Sequence, residues 1–153
     1  MKISGYYIYN NVAITAFSVL AMLRLSSKIP LSKVALLMPI LLDDNIVGKM
    51  TNQRPTSFDS VITQNKVYLS NFNNRYDDLL PQVVNAISIL LDLNLVSLYG
   101  EYVISENAEK YESILSKCDS NRLKNICAVS SKLLKLVKDS DIVNDYSKLN
   151  IEL

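Results

Sequence analysis

The stretch "LLPQVVNAISILLDLNLVSLYGEYVISENAEKY", from Leu79 to Tyr111, constrains the fold more tightly than any other part of the chain. Its first half places Leu80, Val83, Val84, Ile87, Leu90 and Leu91 at spacings of three and four, the stripe of a buried helix. The spacing predicts a helix over Leu79–Leu93. Asp77 and Asp78 stand at its start, where carboxylates favour the positive end of the helix dipole, and Pro81 suits a first turn. The segments "LVSLY" and "EYVI" follow, joined near Gly100, and read as a hairpin. Ser105 can then cap another helix that carries Glu106 and Glu109 in its first turn. Helix, hairpin, helix is the pattern of a winged helix-turn-helix.

The rest of the chain agrees with a mainly α fold. Three glycines and four prolines in 153 residues leave little for long strands joined by tight turns. A hydrophobic content of 49% and a mean hydropathy of +0.14 supply a core and exclude a disordered chain. "MKISGYYIYNN" favours an extended piece, with Asn10 or Asn11 capping the apolar helix that follows. That helix is apolar nearly all round, hence central to the core. Ser26–Ser27 end it. Pro30 opens a second helix, "LSKVALLMPILL", which Pro39 should kink or end. Gly48–Asn74 is polar: "SFDSVITQN" fits a short helix, "KVYLSNF" a strand or irregular piece, and Asn71, Asn73 and Asn74 a turn. From Ser120 to Lys138 a further helix sets Leu123, Ile126, Leu133, Leu134 and Val137 on one face. The expected architecture is a winged-helix-like core over 1–118, with a C-terminal amphipathic helix and docking tail over 119–153, in one compact unit.

The apolar runs Val12–Leu25 and Val34–Leu42 fall short of the ~20 residues that span a bilayer, and no signal-peptide pattern precedes them. Cys118 and Cys127 fit no metal or redox spacing and read as reduced, partly buried thiols. A cytoplasmic protein is expected.

Catalytic chemistry finds no foothold. The chain has no histidine, which removes Ser–His and Cys–His nucleophiles and histidine metal sites. No glycine-rich phosphate loop exists. Asp43/Asp44 and Asp77/Asp78 are sequence neighbours that point apart on a helix, poor partners for acid–base work. No enzyme, cofactor or metal is expected.

A DNA reader needs Lys or Arg against a backbone carrying one negative charge per ~1.7 Å. Between Tyr76 and Glu109 there is neither, while Asp77, Asp78, Asp92, Glu101, Glu106 and Glu109 are all acids. Tyr99 and Tyr102 at the hairpin tip suit either a protein contact or cross-strand packing. The bases gather later: Lys117–Lys138 holds six Lys or Arg and one acid, Asp119. Lys124, Lys132, Lys135 and Lys138 form either a solvated helix face or a patch giving weak, non-specific nucleic-acid contact. In the tail, Ile142, Val143, Tyr146, Leu149 and Ile151 either fold back on the core or dock on another protein.

One order of segments is familiar: Asn10–Asn11 before an apolar helix, "MPILL" at Met38–Leu42, "NRYDDLLPQVVNAISILLDLNLV" with a short wing, a Lys-rich helix, and "YSKLNIEL". It resembles the small middle component of three-component ABC ATPase systems of bacterial conflict and anti-phage loci. Many members have Pro after the Asn pair and a terminal Leu-Gly; here stand Val12 and Leu149–Asn150. The resemblance implies a winged-helix core without a catalytic site. It also implies an adaptor between a large ABC ATPase, related to chromosome-maintenance and recombination ATPases, and a third effector subunit. It would make Tyr146 and Leu149 partner-facing, with any DNA contact indirect or weak and no membrane partner. A winged-helix transcription regulator is the alternative.

Overall fold

A computed structural model describes residues 5–151, with side chains from Asn11 to Ile151. Eight helices and a three-stranded antiparallel sheet make up the described residues. The helix α1 (Gly5–Leu23) begins before the Asn pair, so the extended piece expected there is helical from Gly5 and Asn11 lies inside the helix. Residues 1–4 lie outside the described residues. Every residue from Thr15 to Leu23 is buried, as an all-round apolar helix requires. The two hydroxyls in that run, Thr15 and Ser18, donate to the carbonyls four residues back, each at 2.8 Å. The strand β1 (Lys28–Pro30) leads into α2 (Leu31–Leu41), whose Lys33–Leu41 segment is wholly buried. Pro39 is accommodated inside α2, two residues before its end. The carbonyl of Pro39 accepts from the Arg75 guanidinium at 2.5 Å.

The polar middle is more ordered than its composition suggests. Asp43 caps α3 (Asp44–Asn52) by accepting from the N–H groups of Asn45 and Ile46. Ser57 and Ser60 form a reciprocal capping box at α4 (Phe58–Gln64). The following "KVYLS" is a run of turns. The next helix, α5 (Phe72–Asp92), starts at Phe72 and not at Leu79. Phe72 and Tyr76 are buried and extend the apolar stripe back by two turns. Asn71 is therefore the cap position, Asn73 and Asn74 lie in the first turn, and Asp77, Asp78 and Pro81 are interior. Val84, expected in the core, is 60% exposed. Asn94 closes the helix in the left-handed region (φ 55°), with the Leu95 N–H returning to the Leu90 carbonyl.

The hairpin stands as expected: β2 (Val96–Tyr99) and β3 (Tyr102–Ser105) turn through Gly100, at φ +57°, and Glu101. The third strand went unread in the sequence. Here β1 pairs with β3, Ile29 opposite Val103, giving the order β1-β3-β2. The cap of α6 (Ala108–Ser116) is Asn107, not Ser105, which ends β3. Then come α7 (Asn121–Val137) and α8 (Ile142–Lys148). The α1 helix packs on α5 and α7, and α2 on α5, so the apolar faces share one core that extends to Ile151.

Two lysines from distant positions satisfy helix C-termini. Buried Lys33 donates to the carbonyls of Val137, Lys138 and Ser140 at the end of α7, the last two at 3.0 Å. Lys132 does the same at the end of α3, reaching Met50, Thr51 and Gln53 at 2.7, 2.9 and 2.9 Å. The last carbonyls of a helix lack internal partners and carry partial negative charge, so an ammonium there answers both needs. Arg75 acts similarly between elements, pairing with Asp43 at 3.0 Å while bonding the Tyr68 and Pro39 carbonyls.

Candidate interaction surfaces

Among the described residues the hairpin tip is the most exposed aromatic site. Tyr99 is 77% exposed, and neighbouring Leu98 is 49% exposed although it shares the inward face with Val103. Tyr102 is partly covered, with the Lys28 ammonium 4.3 Å from its ring centroid. The tip is held in place, because the Leu31 N–H at the start of α2 donates to the Glu101 carbonyl at 2.8 Å. Of the two tip tyrosines, then, Tyr99 is exposed to solvent and Tyr102 is partly engaged.

The C-terminal tail resolves differently from a docking arm. Tyr146, Leu149 and Ile151 are buried, and Ile142 is half-buried against the same core. The Tyr146 hydroxyl lies 2.9 Å from that of Tyr76 and donates to the Ser32 carbonyl at 2.8 Å, with the two rings edge to face. Burial pushes the Tyr146 phenol far above its ordinary range, and the bond to Tyr76 adds to the shift. Asp145, also buried, accepts from the Ser140 hydroxyl. The expectation that Tyr146, Leu149 and Ile151 face a partner is therefore corrected: their apolar surface gains more from the core than from water, and the buried polar atoms of Tyr146 and Asp145 are hydrogen-bonded. Val143, on the flank of α8 beside Tyr146, is 70% exposed. Asn150 ends α8 at φ 55°, with the Ile151 N–H bonded to the Tyr146 carbonyl. Asparagine is the residue that best replaces glycine in that conformation.

The basic face of α7 is smaller than its composition implies. Lys124, Lys135 and Lys138 are exposed. Lys132 is drawn sideways to α3, and Arg122 pairs with Asp44 at 2.8 Å. Both cysteines are free thiols, and burial raises the Cys127 thiol above its ordinary value. Among the described residues no helix is long and apolar enough to cross a membrane. Nor does any group of three or more His, Cys, Asp or Glu stand ready for a metal.

The comparison with known families bears on this surface. The model of middle component 3 of ABC-three component systems matches residues 12–153. The chain belongs to this family. A middle component is one part of a multi-subunit system, so partner subunits are implied. No curated protein and no solved structure matches it. The residues that sequence reasoning missed are Lys33 and Leu98. A lysine inside an apolar run is the available signal for the first. Exposure at a strand end leaves no sequence trace for the second.

Proposed function

We propose that this middle component is a non-catalytic adaptor of a bacterial ABC-ATPase defence complex, holding a large ATPase to an effector subunit. The observation that carries this reading is the wing: a fixed tip that exposes Tyr99 and Leu98 within a span, Tyr76 to Glu109, devoid of bases. Such a surface suits protein and not phosphate. The winged-helix reading is supported by the order helix, strand, helices, hairpin and by the sheet order β1-β3-β2. Lys124, Lys135 and Lys138 are the residues that would rest on DNA held by the ATPase.

The test is co-purification of the tagged chain with the other two components of its own system, expressed in pairs and together. The expected result is one complex of all three, with ATPase and effector failing to associate when the middle component is omitted. Equal association without it would refute the adaptor role. The rival transcription regulator predicts instead sequence-specific DNA binding by the isolated chain at physiological salt.

A further inference from the structure

Beneath the wing tip lies an apolar groove of about 460 Å³, walled by Leu31 and Ala35 of α2, Leu80 of α5, and Ile142 and Val143 of α8. Its floor is Tyr76 and Tyr146, whose hydroxyls are turned to each other and to the Ser32 carbonyl. The floor therefore offers ring carbon with its polar atoms already satisfied. Val84, one helical turn on from Leu80, continues the apolar strip outside the groove and is 60% exposed. One charged residue lines the groove, Glu101 at the wing tip. Its carboxylate has no ion-pair or hydrogen-bond partner among the described residues, and its backbone is pinned to α2 through the Leu31 N–H.

We infer that this groove docks an amphipathic helix of a partner subunit, with a lysine or arginine placed at the end that meets Glu101. A strip of this size takes two or three aligned apolar side chains of a helix, spaced at i, i+3 or i+4. Among the described residues a second copy of this chain offers one exposed large apolar pair at helical spacing, Ile89 and Leu93 at the end of α5. The charge beside that pair is Asp92, with an Arg or Lys nowhere nearer in sequence than Arg75 and Lys110, so Glu101 would repel it. The occupant is thus another protein, and the fixed, unpaired Glu101 sets its charge and direction. The inference rests on the adaptor reading and locates its second contact beside the tip of the wing.

The test uses the full chain and variants V143D and E101K against each of the two other components, by binding titration. Both positions are exposed, so unchanged thermal unfolding confirms the fold. The expected result is that one component binds the wild type, that V143D weakens it by about tenfold or more, and that E101K weakens it by about threefold or more. Overlapping peptides from that component then compete, the active one carrying apolar residues at i, i+4 and a base beside them. Wild-type affinity in both variants would overturn the groove and leave the adaptor reading standing. Binding of neither component by the wild type would overturn the adaptor reading, and the groove with it. A wild-type dimer that V143D converts to monomer would assign the groove to a second copy and refute the inference.

Discussion

Replacing Lys33 by methionine tests the most unusual feature of the core. The side chain is 5% exposed, and its ammonium holds three carbonyls at the end of α7. Methionine keeps most of the apolar stem and removes the charge. The Val137 carbonyl still has the Ser140 N–H at 3.3 Å, whereas the carbonyls of Lys138 and Ser140 lose their donor. A buried unsatisfied carbonyl costs about 1–3 kcal/mol, and these two, partly reached by water, fall at the lower end. The lost cation at the helix C-terminus adds about 1 kcal/mol. Release of the desolvation penalty on the ammonium offsets part of this. The expected net loss is about 2–4 kcal/mol, or a fall in Tm of about 5–15 °C for a domain of this size. Urea and thermal unfolding followed by circular dichroism would read it, with K124M as an exposed control that changes stability by less than about 0.5 kcal/mol. A K33M protein as stable as the control would refute the idea that Lys33 closes α7.

Y146F removes the hydroxyl shared with Tyr76 and Ser32, and should cost about 1–2 kcal/mol in urea unfolding; no loss would return the tail to the surface. Burial raises both Tyr111 and Tyr146 above the ordinary value near 10. Their contribution is complete below about pH 10; above it the unfolded chain releases protons that the folded chain keeps, so stability falls as pH rises, by up to about 1.4 kcal/mol per unit for each tyrosine. A Y111F/Y146F protein should lose this alkaline slope, and an unchanged slope would contradict the assignment. For DNA contact, K124A, K135A and K138A should each lower the salt slope of binding by about 0.9, whereas K132A should leave it alone and destabilise the fold. A slope that drops only with K132A would reverse that division.

The apolar helices were legible because burial on all sides needs no context: nine consecutive residues of α2, Lys33–Leu41, are buried as the run suggests. The hairpin was legible because Gly100 supplies the one left-handed position that a tight turn demands. Where reading failed, the missing term was tertiary. The α5 start was hidden because "NNRYDD" looks like a turn, although Phe72 and Tyr76 already carry the stripe. The β1 strand has three residues and exists only because β3 lies beside it. The tail's apolar residues pointed inward or outward with equal warrant until the packing of Tyr146 on Tyr76 decided. Lys132 was grouped with its helix neighbours because periodicity cannot register the carbonyls of α3.

Charge placement ties these observations to function. The run from Lys117 to Lys138 contains six bases, and on composition alone it looks like a phosphate-binding helix. In the fold, Lys132 closes α3 and Arg122 faces Asp44, which leaves Lys117, Lys124, Lys135 and Lys138 exposed. Four ammonium groups can hold a nucleic acid weakly and without sequence preference, at an affinity that physiological salt largely removes. The opposite imbalance holds at the hairpin tip, where a fixed acid, Glu101, and exposed Tyr99 stand beside an apolar groove with no base in its lining. A protein that acted alone on DNA would need the reverse distribution. An adaptor of the kind proposed would need a defined apolar contact with one unpaired charge to orient it, and the hairpin tip sets Glu101 beside such a groove.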